Sequence, residues 1–176
     1  MYEHTYPDKR YRITLDLIKR VAPSGTRILD LGVENPFSEI MKKEGYQVEN
    51  THGEDLDEHR STIENSEADM VTALEIFEHL LSPYEVLKSI KAHKLVASIP
   101  LRLWFASAYR SKTDPWDRHY HEFEDWQFDW LLEKTGWTIK ERIQWSHPVN
   151  KIGIRPLLRR FTPRYYMVYA ERNKEA

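Results

Sequence analysis

The chain has 176 residues and a mass of 21.1 kDa, the size of a single domain, and 40% of its residues are hydrophobic, enough to build a core. A formal charge of −2, a mean hydropathy of −0.70 and no apolar run near the roughly 18 residues that span a bilayer speak against a membrane protein and against a dedicated nucleic-acid binder. The absence of cysteine excludes disulfides, thiolate-held metal and a cysteine nucleophile, and Met1 to Arg10 lacks the apolar stretch of a secretory signal, so a soluble cytoplasmic protein is expected.

In chain order, Ile13, Leu17, Ile18 and Val21 recur at helical spacing between Pro7 and Pro23, predicting an amphipathic helix within an N-terminal region of residues 1–24. Arg27 to Leu31 is a short apolar run ending at Gly32, the pattern of a strand buried on both faces of a parallel sheet. Asn35 and Pro36 supply an N-cap and a first helical residue for a helix that runs to about Glu44 and is closed by Gly45. Tyr46 to Thr51 and Ala68 to Glu75 read as the next strands. The gap between them is too short for a helix plus another full strand, so one unit of the alternating pattern is shortened.

Pro83 to His93 is helical by the spacing of Val86, Leu87 and Ile90, and Lys94 to Pro100 contains the following buried strand. Leu101 to Glu122 is long, aromatic and irregular, the mark of a lid or substrate loop, with a short helical piece allowed over Arg102 to Arg110. Asp125 to Thr135 reads as the last helix, ended by Gly136, and Trp137 to Trp145 and Arg164 to Glu171 as the last two strands, joined by a basic, proline-bearing loop. Charge is uneven: seven acids face one Arg from Glu54 to Asp69, and seven Lys or Arg face two acids from Val149 to Ala176. The basic tail fits either an anionic substrate or a solvated face. Together these features predict one α/β domain over residues 1–176, its sheet mostly parallel with an antiparallel C-terminal edge.

Several segments resemble a known family. Ile28-Leu29-Asp30-Leu31-Gly32 is similar to the first motif of the class I S-adenosylmethionine (SAM)-dependent methyltransferases. Asp69 to Pro83, with its Glu75-Ile76-Phe77-Glu78-His79-Leu80 turn and proline-started helix, resembles the fourth-strand segment of their small-molecule branch. Lys94 to Pro100 resembles the fifth strand, and His121-Glu122-Phe123 before a helix ending in Gly136-Trp137 resembles the passage before the sixth. The resemblance implies a Rossmann-like sheet, SAM as cofactor and a small-molecule methyl acceptor, with an oxygen nucleophile slightly preferred over nitrogen. It departs from the family in the loop after Asp30, where only Gly32 is kept and Glu34 and Pro36 stand in place of glycines.

The cofactor residues so implied are Asp30, Gly32, Glu34, Asp55, Leu74 and Glu75. Strand ends at the switch point of an open α/β sheet hold the ligand, an acid such as Asp55 suits ribose hydroxyls, and the helix starting at Pro36 is expected to aim free N–H groups at a carboxylate. Glu34 suits the cofactor's ammonium group or is a solvated acid. His79, His119 and His121 are the candidates for proton transfer, His79 being equally readable as a helix-start residue. Of His119 and His121, which flank Tyr120, only one is expected to face the pocket. No metal is expected from Asp117, His119, His121 and Glu122, which lack a partner motif of defined spacing. Trp104, Tyr109, Trp116 and Tyr120 line a substrate pocket or pin the loop to the core, and Trp126, Phe128 and Trp130 read as packing. The competing function is a non-catalytic relative that serves as a binding module. A nicotinamide dehydrogenase fails on the missing glycines. The sequence leaves the oligomeric state unspecified.

Overall fold

The computed structural model describes residues 6–114, 117–147 and 151–172. It contains α1 (Tyr6–Val21), β1 (Arg27–Asp30), α2 (Pro36–Lys43), β2 (Gln47–Asn50), α3 (Ser61–Glu64), β3 (Met70–Leu74), a single 3-10 turn (Phe77–His79), α4 (Pro83–Ser89), β4 (Lys94–Pro100), α5 (Asp125–Lys134), β5 (Thr138–Trp145), α6 (Ile154–Phe161) and β6 (Tyr165–Glu171). One six-stranded sheet has the order β2-β1-β3-β4-β6-β5. The first four strands are parallel, and β6 runs antiparallel to both of its neighbours, so β5 at the edge again points along β4. Only the one-turn α3 fills the gap between β2 and β3, which leaves β2 as an edge strand and confirms the shortened unit.

Alternate side chains on each strand go to opposite faces, and the sequence loads both with apolar groups. Leu29, Val71, Leu95 and Val168 join one core with α4 and α5. Ile28, Met70, Val96 and Met167 join the other with Leu17 and Ile18 of α1 and Phe37 and Met41 of α2. Edge strand β5 carries Lys140, Glu141 and Arg142 in succession, charges that keep a free strand edge in water.

Three local expectations are corrected. No helix forms over Arg102 to Arg110, where the chain makes only turns. The stretch from 94 to 103 is instead held flat by bonds of Leu101 N–H to Arg164 O (2.7 Å) and of Arg102 N–H to Phe123 O (2.8 Å). Helix α4 stops at Ser89 rather than His93, because Ile90 turns to extended backbone with its side chain in the core. And α5 is not the last helix, since α6 lies in the basic loop. Ile154, Leu157, Leu158 and Phe161 have helical spacing, and Pro156 sits in the first turn, where its missing N–H costs nothing. Of the aromatic set on α5, Phe128 is fully buried, whereas Trp126 and Trp130 pack edge to face on the surface with centroids 4.8 Å apart. None of the described helices is long and apolar enough to cross a membrane.

Candidate functional site

The loops that leave the carboxyl ends of β1, β2 and β3 surround a cavity of about 660 Å³, with Arg118 and Tyr120 closing one side. Its walls include Gly32 and Val33 after β1, the 53–57 stretch after β2, and Glu75, Ile76 and His79 after β3. This is the place where open α/β sheets bind ligands.

Asp30 builds the floor without reaching the cavity. Only 2% exposed, its carboxylate accepts bonds from the Thr72 hydroxyl (2.6 Å), the Ser38 hydroxyl (2.9 Å) and the side-chain amides of Asn35 and Asn50 (3.1 Å each). Burial holds its pKa above the ordinary carboxylate value, against the pull of those four donors. The net ties the ends of β1, β2 and β3 to the start of α2. Gly32, at φ 110°, then turns the chain, and its N–H donates to Thr51 Oγ1 at 2.7 Å. Sequence gave no cue to Thr72, Ser38 or Asn50, three polar residues whose partners are remote in the chain.

The expectation of free N–H groups at the start of α2 is overturned. Asn35 Oδ1 accepts from Phe37 N–H (2.9 Å) and Ser38 N–H (3.2 Å), Glu39 N–H bonds Asn35 O, and Pro36 has no N–H. The residue that starts the helix so well also uses up its anion-binding donors. Glu34 is not brought to the cavity: it pairs in solvent with Lys42, which pulls its pKa down. Leu74 is likewise elsewhere, half-buried against the core beneath α1 and α2. Asp55 does line the cavity, exposed, with its Oδ1 accepting from Asp57 N–H at 3.0 Å, and Glu54 lies beside it.

Glu75 is the one non-glycine described residue at positive φ (60°), a strained conformation at the point where β3 meets the cavity. Its carboxylate accepts from the Ser98 hydroxyl on β4 (2.9 Å), and burial raises its pKa. Asp57 accepts from the N–H groups of Leu81 and Ser82 (2.7 Å each), so the loop after β2 caps the chain entering α4.

The 3-10 turn places Glu78 and His79 under the segment 101–122. Glu78 is 1% exposed; its backbone carbonyl accepts from Tyr120 N–H (2.8 Å) and His121 N–H (3.2 Å), which clips the segment to the turn. Its Oε2 is buried with no hydrogen-bond partner, and burial together with the Glu75 carboxylate drives its pKa well up. The His79 Nδ1 lies 3.1 Å from Arg118 O. A carbonyl can only accept, so Nδ1 carries the proton and Nε2 presents a lone pair, 3.8 Å from Glu78 Oε1. The His119 ring meets His79 edge-on at 4.7 Å and packs on Tyr109 at 4.5 Å; burial, then His79, push its pKa down to about 4.

Only one of the two His lines a cavity, as expected; residues two apart in extended chain would share a side, and the chain bends at Tyr120 between them. His119 joins His79 and also lines a second cavity of about 520 Å³ with Tyr109, Arg110, Lys112, Arg118 and Tyr120. The His121 ring packs on Phe123, and neither cavity includes it. Trp104 is 71% exposed and away from both, and Trp116 lies outside the described residues. The two cavities share Arg118 and Tyr120, with His79 in one wall and His119 in the other.

No family model and no curated protein matches the sequence. Solved structures do match. A SAM-dependent methyltransferase from Archaeoglobus fulgidus is 16% identical, with 92% of this chain and 94% of that one covered and a TM-score of 0.56. Phosphoethanolamine N-methyltransferase 2 from Haemonchus contortus, in complex with SAM, is 12% identical over 92% of this chain and 52% of that one, at a TM-score of 0.61. The [4+2]-cyclase SpnF is 11% identical, covers 98% of this chain and 85% of that one, and has a TM-score of 0.58. The mostly parallel sheet with its antiparallel edge and these likenesses agree: the chain has the fold of the class I SAM-dependent methyltransferases, with the third unit shortened.

Proposed function

We propose that the protein is a SAM-dependent methyltransferase acting on the oxygen of a small, anionic molecule. The observation that carries the proposal is the cavity at the carboxyl edge of β1, β2 and β3 adjoining a second one lined by residues 109–112 and 118–120, with the His79 and His119 rings in contact between them. The larger cavity fits a cofactor of SAM's size, since small-molecule sites run from about 300 to 1,000 Å³. Gly32 and Gly53, both at positive φ, keep its mouth open; a Cβ on Gly53 would lie 3.0 Å from Val33. SAM supplies, when bound, an electrophilic methyl group for in-line transfer.

Asp55 and Glu54 offer carboxylates to ribose hydroxyls. Arg118 offers the positive charge that the capped helix α2 withholds from a carboxylate, and Glu75 an acceptor for an ammonium group. Arg110 and Lys112 give the smaller cavity its preference for an anionic acceptor. His119, neutral at pH 7, has a lone pair for the acceptor's hydroxyl proton, as has His79 Nε2. Tyr109 and Tyr120 exclude water as the 101–122 segment covers the pair of cavities.

One observation favours the non-catalytic reading: Asn35 has taken the N–H groups at the start of α2. Calorimetric titration with SAM and its demethylated product, S-adenosylhomocysteine, separates the two. Binding at micromolar concentration supports the methyltransferase. No heat and no thermal shift at millimolar cofactor overturns it in favour of the non-catalytic reading.

A further inference from the structure

We infer that Glu78, His79 and His119 form a site for one first-row divalent metal ion of the zinc or cobalt type. Their three donor atoms lie within 4.8 Å of one another. The turn Phe77–His79 delivers the first two, and the clip between Glu78 O and the N–H groups of Tyr120 and His121 delivers the third.

The chemistry of the gap calls for a positive centre. His79 Nδ1 is engaged with Arg118 O, which turns Nε2 toward Glu78 Oε1, and the two face each other at 3.8 Å without a hydrogen bond. That is too long for a hydrogen bond and close to the separation of two ligands on one small cation. The second Glu78 oxygen has no hydrogen-bond partner in a side chain that is 1% exposed. A buried carboxyl oxygen without a partner is unfavourable, and a cation that meets it relieves that cost. The Arg118 carbonyl on the far nitrogen of His79 is the outer contact that fixes a ligating imidazole.

Two imidazoles and one carboxylate suit Zn²⁺, Co²⁺ or Mn²⁺ far better than Mg²⁺, which takes oxygen and water. Three protein ligands leave a coordination position open. His79 lines the larger cavity and His119 the smaller, so an ion held there would lie beside a molecule in either. An ion held there would make a bound hydroxyl more acidic; the proton-acceptor role proposed for the two imidazoles belongs to the metal-free site. The sequence showed none of this, because 39 residues lie between His79 and His119 and the carboxylate belongs to a different segment from the acids next to His119.

The test is metal binding by the whole chain after chelator treatment, with Zn²⁺ in competition against a chromophoric chelator and Co²⁺ followed by its visible spectrum. One equivalent of Zn²⁺ per chain at micromolar affinity is expected, with no response to millimolar Mg²⁺. Glu78→Gln and His119→Ala each weaken Zn²⁺ at least 100-fold, whereas His59→Ala, at an exposed position after β2, does not. Circular dichroism melts establish that each variant is folded. The chain has no cysteine, so His119→Cys adds a sole thiolate, and its Co²⁺ form gains a near-ultraviolet sulfur-to-cobalt band that a merely structural His119 would not produce. Less than a fifth of an equivalent of Zn²⁺ at 100 micromolar, unchanged affinity in His119→Ala, or a silent Co²⁺ spectrum in His119→Cys overturns the site. Metal binding needs no SAM, so this assay and the cofactor titration fail separately.

Discussion

Replacing Asp30 by Ala removes the acceptor that four donors share at the ends of three strands. Two of them, the hydroxyls of Thr72 and Ser38, are fully buried, and each unsatisfied buried hydroxyl costs about 1–3 kcal/mol. The Asn35 and Asn50 amides fall back on second partners already in range, Val33 O at 3.2 Å and Gly32 O at 3.3 Å. Relief of a buried charge offsets part of the loss, so Asp30→Ala should destabilise the fold by about 3 kcal/mol. Asp30→Asn keeps a carbonyl oxygen for Ser38, Asn35 and Asn50, and only Thr72 must reverse its hydroxyl, for a cost of about 1 kcal/mol. Urea unfolding followed by tryptophan fluorescence and circular dichroism, with equal slopes in all three proteins, measures both. If the two variants lie within about 0.5 kcal/mol of each other, the Asp30 net does not organise the floor of the cavity.

Four further outcomes are expected. Because burial raises the Asp30 pKa above 3.8, the folded protein binds this proton more tightly than the unfolded chain, and the stability Asp30 contributes is lost as pH rises from about 4 through its folded value. The stability gap between wild type and Asp30→Asn should therefore shrink over that window and then level off, as urea midpoints taken from pH 4 upward will show. Asp57→Ala leaves the N–H groups of Leu81 and Ser82 uncapped and should cost about 1–2 kcal/mol in the same unfolding assay. Gly53→Ala puts a Cβ at φ 84° and 3.0 Å from Val33, costing about 1–2 kcal/mol in stability and narrowing the cavity enough to weaken SAM at least tenfold by calorimetry. SAM together with an acceptor should slow proteolysis between Trp104 and Asp114; cleavage at an unchanged rate means the stretch is a fixed loop.

Much of the fold was legible because its signals are local. The run from Arg27 to Gly32, the Asn35-Pro36 start and Gly45 stop of α2, and the length of the gap before β3 each depend on neighbours in sequence and each came out as expected. Helix α6 had the same apolar spacing, but Pro156 and the surrounding basic residues made it read as a loop. The site was less legible because it is made of pairings across the chain. Asp30, Gly32, Glu34, Asp55, Leu74 and Glu75 were placed by their positions in motifs, and the structure brings only Gly32, Asp55 and Glu75 to the cavity. Asp30 turned inward because three strand ends and a helix start converge on it. Glu34 turned outward because Lys42, two helical turns on, offered a partner in water. Arg118 gave no sequence signal at all, since its place at both cavities depends on the clip that holds Tyr120 and His121 to Glu78.

The loop after β1 shows how a fold can lose two glycines and keep its cavity. Glycines there would allow the backbone to approach a ligand and leave the α2 N–H groups open to it. In this chain Asn35 and Pro36 instead satisfy the helix from within, and Glu34 leaves for the surface, so the loop gains stability and gives up anion recognition. The charge needed by an anionic group must then come from elsewhere around the same cavity, and among its walls Arg118 is the cationic side chain. The Arg118 backbone carbonyl meets His79 Nδ1 at 3.1 Å, and the N–H groups of Tyr120 and His121, just beyond it in the chain, bond Glu78 O. The cationic wall of the cavity is therefore held by the same backbone contacts that bring His79 and His119 together, where an uncapped helix start would have supplied its own N–H groups.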